Sequence, residues 1–257
     1  MHQLKYDDLN VVVSQSEAEN GQAAAAAFAK AVNEALETRD EVAVILATGN
    51  SQLAFIDAAI ARDDIDWSRI TVLHMDEYLG MSDQHPASFR RWMIDNIVNR
   101  VPLKKLEGMA GDHEPYEEEI QRYTRLLEDL KPVVCVMGIG ENGHLAFNDP
   151  PADFDTPELV RLVEMDEVSR RQQVGEGHFP SLEEAPKHAL SLTIPALLAP
   201  QTLIVVTPEA RKAEIVRRTL TEDISPMVPA TILRKQQNAT LFLDNESSAQ
   251  LELENTD

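Results

Sequence analysis

Seven short runs rich in valine, isoleucine and leucine recur along the chain, and they restrict its fold more than any other feature. Each run has the length of one strand, and most runs are apolar at successive positions rather than at alternate ones. Such runs are typical of parallel strands whose two faces are both covered by helices. We therefore predict strands at residues 9–13, 42–48, 70–75, 133–139, 189–194, 202–207 and 240–244.

Helical spacing fills the intervals between these runs, at residues 16–37, 53–62, 87–99, 116–130 and 209–220. The first of these segments opens with Ser16 and carries Glu19 three positions later, which is the pattern of a capping box. Strands and helices that alternate in this way predict an α/β fold, an open three-layer α/β/α sandwich with a mostly parallel sheet. No repeat, low-complexity linker or block of charge divides the chain, so we expect residues 1–257 to form a single domain.

Residues 150–186 interrupt this alternation. They contain five prolines, two glycines and few apolar runs. Long irregular segments in compact domains are commonly lids or binding loops. We therefore predict a lid over about residues 150–186.

The charge balance limits the partners of the chain. It has 44 acidic residues against 23 lysines and arginines, a formal charge of −21. Nucleic acid and anionic membrane surfaces require a net basic surface, so we expect neither as a partner. A small anion is still a possible ligand, since a pocket can be basic where the whole chain is acidic.

The sequence also indicates the cellular compartment. The single cysteine, Cys135, lies inside an apolar run, so we expect a buried thiol and no disulfide within the chain. The first ten residues contain no apolar signal region, and no run of about 18 apolar residues is long enough for a membrane span. These observations predict a soluble cytoplasmic protein.

Two polar segments follow predicted strands, where ligands bind in open α/β sheets. The first is Thr48, Gly49, Asn50 and Ser51, at the start of a predicted helix, where backbone N–H groups can hold an anion. An ordinary helix cap is the alternative interpretation. The second is HMDEY at residues 74–78, in which Asp76 or its neighbour can point into a cleft as a general base. A solvated acidic turn is the alternative there.

The segment GIGENGHLAFNDP, at residues 138–150, is the most specific motif in the chain. It holds three of the ten glycines within six residues, directly after a predicted strand. Glycines at such a point let the backbone approach a ligand closely. Their spacing does not match the dinucleotide-binding fingerprint. His144 and Asp149 supply an imidazole and a carboxylate, which suits proton transfer.

Basic residues provide a candidate phosphate site. Lys212 lies early in a predicted helix, where a cation opposes the helix dipole, and a bound phosphate would account for this placement. A solvated lysine is the alternative. Arg170 and Arg171, in the predicted lid, could add positive charge, although arginine pairs are usually on the surface. The sequence shows no spacing typical of metal ligands, so we expect no metal.

Four of these segments together resemble the glucosamine-6-phosphate deaminase (isomerase) family. The matching residues are TGNSQL, MDEYLG followed by HPASF, GIGENGHLAFNDP and PEARKA, in the same order from about residue 40 to residue 245. The related 6-phosphogluconolactonases share the fold but carry patterns similar to GMGxDGHTASLFP and DER, which this chain lacks. The resemblance implies a Rossmann-like fold and conversion of glucosamine 6-phosphate and water to fructose 6-phosphate and ammonia, without organic cofactor or metal.

The resemblance also implies roles for individual residues. Asp76 corresponds to the base that takes the C2 proton and forms an enolamine. His144 corresponds to the group that moves the proton in ring opening, with Asn142 and Asp149 beside it. Thr48, Gly49, Asn50 and Ser51, together with Lys212, correspond to the phosphate site.

Three positions differ from the family pattern. Asn142 is aspartate in some members. Asp149 is usually glutamate, and a displacement of about 1 Å can cost on the order of a hundredfold in rate. The arginine that often binds phosphate aligns near Gln173, and Arg170 or Arg171 could replace it.

These differences leave open another substrate, an amino sugar phosphate such as galactosamine 6-phosphate, or a different function as a non-catalytic sugar-phosphate sensor. Family members differ in oligomeric state, so a homo-oligomer is also left open.

Overall fold

The computed structural model describes residues 2–252, and within them eleven strands form two sheets. The larger sheet has eight strands in the order β1-β2-β11-β10-β7-β3-β4-β6, and all neighbours are parallel except β1 and β2. The smaller sheet is antiparallel, in the order β5-β9-β8. The strands are β1 (His2–Tyr6), β2 (Leu9–Val13), β3 (Val42–Leu46), β4 (Ile70–His74), β5 (Asp76–Tyr78), β6 (Lys105–Glu107), β7 (Val134–Met137), β8 (Val160–Glu164), β9 (His188–Leu192), β10 (Thr202–Val206) and β11 (Ala239–Leu243).

Helices cover both faces of the larger sheet, which confirms the predicted α/β fold. In the described residues they are α1 (Glu17–Leu36), α2 (Leu53–Ile60), α3 (Phe89–Met93), α4 (Tyr116–Leu130), α5 (Glu167–Gly175), α6 (Ile194–Leu198) and α7 (Ala213–Thr221). Alternate residues of each central strand supply the two cores. Val44 of β3 packs with Phe28 of α1, whereas Ile45 belongs to the opposite core with Leu127 of α4. Cys135 is fully buried, and burial raises the pKa of its thiol.

The N-terminus of α1 shows how local sequence sets a helix boundary. Ser16 has extended backbone angles, and its Oγ accepts a hydrogen bond from the Glu19 backbone N–H at 3.2 Å. The Glu19 carboxylate accepts in turn from the Gln15 backbone N–H at 3.1 Å. Such caps satisfy donors that lack partners within the helix and stabilise it by about 1 kcal/mol. The alanine-rich sequence that follows favours helix throughout.

The predicted lid contains more regular structure than its composition indicates. Strand β8 and helix α5 both lie within residues 150–186, so the expectation of a wholly irregular segment was wrong. Strand β8 forms because it pairs with β9 over five residues. The predicted strand at 189–194 corresponds to β9, and it joins the smaller antiparallel sheet instead of the parallel one.

An aromatic cluster packs the smaller sheet and α5 against the rest of the molecule. Tyr78 lies within 5.2 Å of Phe179 and 4.8 Å of Phe89, measured between ring centroids. Phe89 also stacks on Phe147. This cluster fixes the smaller sheet beside the carboxyl ends of four adjacent strands, β10, β7, β3 and β4.

Candidate active site

An open cleft lies at the carboxyl ends of these four strands. Each strand delivers residues to it from the segment that follows: Thr48 after β3, Asp76 after β4, His144 after β7 and Lys212 after β10. Gln172, Gln173, Glu176 and His178 close one side. The position agrees with the general rule that open α/β sheets bind ligands outside the carboxyl ends of their strands.

The two adjacent carboxylates of HMDEY have different environments. Asp76 borders the cleft, is 7% exposed and has no hydrogen bond from its side chain to any part of residues 2–252. Glu77 is fully buried and accepts hydrogen bonds from Ser88 Oγ at 2.7 Å and from the backbone N–H of Arg90 at 3.0 Å. Glu77 therefore holds the start of α3, and Asp76 is the carboxylate available to a ligand.

Burial also changes the acidity of Asp76. Loss of solvent raises its pKa well above the usual aspartate value, and the neighbouring charge of Glu77 raises it further. The strand end that carries it is held firmly, because Tyr123 donates a hydrogen bond from its hydroxyl to the His74 carbonyl at 2.7 Å. A fixed carboxylate with a raised pKa suits a group that must accept and return a proton.

His144 lies in a hydrogen-bonded network with Ser169 and Asp149. Its Nδ1 is 2.8 Å from Ser169 Oγ and 3.2 Å from Asp149 Oδ1. Ser169 Oγ donates a short hydrogen bond to Asp149 Oδ1. The other ring nitrogen, Nε2, makes no hydrogen bond with the described residues, and His144 borders the cleft. Nδ1 is thus engaged by Ser169 and Asp149, whereas Nε2 is available to a ligand.

Asn142 and Asp166 complete this network. Asn142 Nδ2 donates to Asp149 Oδ1 at 2.9 Å and to Asp166 Oδ2 at 2.8 Å, and its Oδ1 accepts from the His144 backbone N–H at 3.0 Å. The Asp166 backbone N–H donates to Asp149 Oδ2 at 2.9 Å. Burial by itself would raise the pKa of Asp149, but its interactions with His144, Asn142 and Ser169 outweigh burial and lower the pKa. Asp149 is therefore ionised at neutral pH.

The glycine-rich segment makes room for the imidazole. A Cβ atom at Gly140 would overlap the His144 ring, so no other residue fits at position 140 without moving that ring. This close approach gives a physical reason for a glycine between the strand and the histidine.

Residues 48–51 form a turn in which no side chain caps the backbone N–H groups at the start of the following helix. Gly49 has a φ of 100°, a conformation that favours glycine, and it precedes a short 3₁₀ helix at Asn50–Gln52. Neither this turn nor α2, which follows it, has a side-chain cap, so the alternative of an ordinary cap is wrong. Thr48, Gly49 and Ser51 border the cleft, whereas Asn50 does not. Free N–H groups at a helix start can hold an anion.

Comparison with known proteins identifies the family of this chain and several of its relatives. The family model described as glucosamine-6-phosphate isomerases/6-phosphogluconolactonase matches residues 15–242. The chain belongs to this family. A Bacillus cereus glucosamine-6-phosphate deaminase is 31% identical over 221 residues, which cover 85% of this chain and 81% of that protein.

Solved structures of the family agree with the fold. A monomeric glucosamine-6-phosphate deaminase superposes with a TM-score of 0.85 at 27% identity, over 93% of this chain and 98% of that chain. The 6-phosphogluconolactonase of Trypanosoma brucei superposes with a TM-score of 0.76 at 15% identity, over 98% of this chain and 100% of that chain. The second similarity shows a shared fold only.

Lys212 borders the cleft in this family member, and its side chain makes no hydrogen bond or ion pair with the rest of residues 2–252. It is 3% exposed. Burial lowers its pKa to about 8, and the nearby Arg211 guanidinium contributes to the lowering. Arg211 itself is engaged, with ion pairs to Glu209, Glu141 and Glu176. Lys212 is therefore a buried cation that can pair with an anionic ligand.

The two lid arginines lie away from the cleft. Arg170 donates hydrogen bonds to the carbonyls of Ala185 at 2.9 Å and Pro186 at 3.2 Å, and it holds the chain after α5. Arg171 is exposed and forms an ion pair with Glu167 one turn earlier in α5. Gln173 does border the cleft, and its Oε1 accepts a hydrogen bond from the Tyr78 hydroxyl at 2.6 Å. The structure thus places neither Arg170 nor Arg171 where the other candidate residues meet.

Sequence reasoning missed the contribution of α5 to the site. Ser169, Gln172, Gln173 and Glu176 lie on the face of α5 and its C-terminal end that is directed towards the cleft network. Their spacing of three and four residues is the signal that could have identified them. Among residues 2–252, no cluster of His, Cys, Asp and Glu could hold a metal ion, and no helix is long and apolar enough to span a membrane.

Proposed function

We propose that this protein is a glucosamine-6-phosphate deaminase that converts glucosamine 6-phosphate and water to fructose 6-phosphate and ammonia. One observation carries the proposal: a buried carboxylate (Asp76), a carboxylate-supported imidazole (His144) and a buried cation (Lys212) border one cleft, and neither Asp76 nor Lys212 has a side-chain partner within residues 2–252. Aldose–ketose isomerisation with loss of an amine requires a base, a ring-opening group and a phosphate anchor.

The phosphate would be held by residues from the segments that follow β3 and β10. Lys212 supplies a positive charge, and the uncapped turn with Thr48, Gly49 and Ser51 supplies N–H donors. A dianion gains more than a neutral ligand from such a site, because charge-assisted hydrogen bonds are the stronger ones. The lysine also provides the local positive potential that a chain of charge −21 otherwise lacks.

His144 would open the pyranose ring. Ring opening moves a proton from the anomeric hydroxyl to the ring oxygen while the bond between C1 and that oxygen breaks. His144 borders the cleft, and its Nε2 has no hydrogen-bond partner within residues 2–252, so this nitrogen can accept the first proton and return it. The ionised Asp149 behind the ring stabilises the imidazolium that forms between the two transfers.

Asp76 would then take the proton from C2 of the open aldose. Removal of this proton and its delivery to C1 yields first an enolamine and then a C2 imine, which water hydrolyses to the ketone and ammonia. The raised pKa of Asp76 brings the carboxylate closer in basicity to the group that it must deprotonate. The absence of a side-chain hydrogen bond within residues 2–252 leaves both oxygens free for this step.

The segment 150–186 would act as the lid of this site. Its residues Gln172, Gln173, Glu176 and His178 already border the cleft, and Arg170 ties α5 to the end of the segment through the carbonyls of Ala185 and Pro186. Closure over the substrate would exclude water during the proton transfers and retain the enolamine until the amine leaves.

Ammonia release across a panel of hexosamine 6-phosphates tests this proposal. We expect turnover of glucosamine 6-phosphate that exceeds turnover of galactosamine and mannosamine 6-phosphates. Asp76→Asn should abolish it, while Asp83→Asn, at a partly exposed aspartate outside the cleft, should have no effect.

Two results would overturn the proposal. Preference for galactosamine 6-phosphate would identify a different amino sugar phosphate as the substrate. Tight binding of the sugar phosphates without ammonia release would identify a sensor. The presence of Asp76 and His144 argues against a sensor, because phosphate binding alone requires neither residue.

A further inference from the structure

Ser169 lies at the centre of the network that supports His144, although it does not border the cleft. It is fully buried in the first turn of α5. Its Oγ is 2.8 Å from His144 Nδ1 and makes a short hydrogen bond to Asp149 Oδ1. Its backbone N–H donates to Asp166 Oδ1 at 2.7 Å, so the helix cap fixes the position of the hydroxyl.

The direction of these hydrogen bonds follows from the charge of Asp149. An ionised carboxylate accepts only, so the Ser169 hydroxyl must donate its single proton to Asp149 Oδ1. The same hydroxyl then has only lone pairs to offer to His144 Nδ1. Nδ1 must therefore carry the proton, and Nε2 of the neutral ring carries the free lone pair that faces the cleft.

We propose that Ser169 is a positioning residue for ring opening, because its hydroxyl relays the charge of Asp149 to His144 and sets the tautomer in which Nε2 is the base. The inference rests on the proposed deaminase function. In the step concerned, Nε2 takes the proton of the anomeric hydroxyl, the C1=O bond forms, the bond between C1 and the ring oxygen breaks, and the ring oxygen receives a proton from Nε2. Ser169 and Asp149 remain unchanged throughout.

This role accounts for the aspartate at position 149. Aspartate is one methylene shorter than the glutamate found in the motifs that this chain resembles. Here its Oδ1 lies 3.2 Å from His144 Nδ1, and the nearer partner of that nitrogen is the serine hydroxyl. The serine bridges carboxylate and imidazole, so that a short acid and a hydroxyl together occupy the place of a longer acid.

The Ser169 hydroxyl also connects His144 and Asp149 to the predicted lid segment. Ser169 and Asp166 both belong to the start of α5, and each donates a hydrogen bond to Asp149. The network that supports His144 is therefore completed by a helix of the predicted lid segment.

Steady-state kinetics on glucosamine 6-phosphate provide the first test. Ser169→Ala should lower kcat by about 10- to 100-fold, with KM within about threefold, because ring opening is impaired while the phosphate site is intact. Ser181→Ala, which removes a surface hydroxyl from the same segment, serves as the control and should leave both constants unchanged. An unchanged kcat in Ser169→Ala would overturn the proposal.

A double variant distinguishes the relay from a purely structural role. Asp149→Glu alone should lower kcat, since the longer side chain meets the serine. Asp149→Glu combined with Ser169→Ala should recover at least about tenfold of the activity lost in Ser169→Ala, because the longer carboxylate fills the space of the hydroxyl. Losses that multiply in the double variant would contradict the relay.

Imidazole ¹⁵N NMR tests the contact independently of turnover, with the His144 signals identified by their loss in His144→Gln. We expect Nδ1 protonated and Nε2 unprotonated in the wild-type protein, and a shift of population towards the other tautomer in Ser169→Ala. Protonated Nε2 in the wild type, or no change on substitution, would overturn the proposal. If the wild type releases no ammonia from any hexosamine 6-phosphate, the proposed function fails, and these spectra still decide the role of Ser169.

Discussion

Replacement of Lys212 by methionine should separate the binding and stability contributions of a buried cation. Methionine keeps much of the length of the side chain and removes its charge. The side chain is 3% exposed and unpaired within residues 2–252, so no ion pair is broken. A charge-assisted contact to a substrate phosphate contributes about 1.5–3 kcal/mol. KM for glucosamine 6-phosphate should therefore rise about 10- to 100-fold, with a smaller effect on kcat.

The same substitution should stabilise the free protein. Burial lowers the pKa of Lys212 from 10.5 to about 8, and each unit corresponds to about 1.4 kcal/mol. The protonated lysine thus destabilises the fold by about 3 kcal/mol at pH 7. This penalty is fully present below pH 8 and fades between pH 8 and 10.5, where the unfolded chain binds the proton and the folded chain does not. Lys212→Met should unfold at a higher denaturant concentration at pH 7, and the difference should shrink above pH 8.

Two further measurements on Lys212→Met, with one control variant, test this reasoning. In the wild type, kcat/KM should fall above about pH 8, as free Lys212 loses its proton, and this decline should be absent from the variant. The loss should be much smaller with unphosphorylated glucosamine. Lys235→Met, at an exposed lysine, is the matched control and should behave as wild type. Near-normal KM, or an equal loss with both sugars, would refute the phosphate role of Lys212.

Three further substitutions address the reacting end of the cleft. Asp76→Asn should retain phosphate affinity but lose both ammonia release and solvent deuterium exchange at C2; wild-type exchange would contradict its role as the base. In the wild type, the raised pKa of Asp76 should move the acidic limb of the kcat profile above the usual aspartate range. Gly140→Ala should lower kcat by on the order of a hundredfold, because the added Cβ displaces the His144 ring, and a normal rate would show that the ring can move freely. Asp149→Ala should lose ring opening, and full activity in this variant would show that Asp149 is only structural.

The central sheet was predictable because its strands are buried on both faces. Runs such as Val42–Leu46 and Val134–Met137 are apolar at every position, and only a strand between two helical layers requires this pattern. The strands that the pattern missed are short or partly exposed. Val160–Glu164 lies among prolines and owes its structure to pairing with β9, which is a tertiary interaction.

The assignment of β9 to the parallel sheet was wrong for a related reason. Its sequence is as apolar as that of a central strand, but the choice of partner depends on where the chain returns in space. His188–Leu192 pairs with β5 and β8 in antiparallel register. The local sequence predicts that a strand forms, but the packing of the whole fold determines which strands pair with it.

The candidate site was predictable where residues directly follow strands. Asp76, His144 and Lys212 converge because the carboxyl ends of adjacent parallel strands meet at one edge. This argument does not apply to Ser169, Arg170 and Arg171, because they lie on α5 and not directly after a strand. Helical geometry turns Ser169 and Gln173, four residues apart, towards the cleft network and leaves Arg171 in solvent.

The most direct measurement compares two substrates of this family under identical conditions, glucosamine 6-phosphate and 6-phosphogluconolactone. Our account predicts equimolar ammonia and fructose 6-phosphate from the amino sugar, loss of both products in Asp76→Asn, and no acceleration of lactone hydrolysis above the uncatalysed rate. Catalysed hydrolysis of the lactone, with the amino sugar recovered unchanged, would contradict the assignment of Asp76, His144 and Lys212 to a deaminase site.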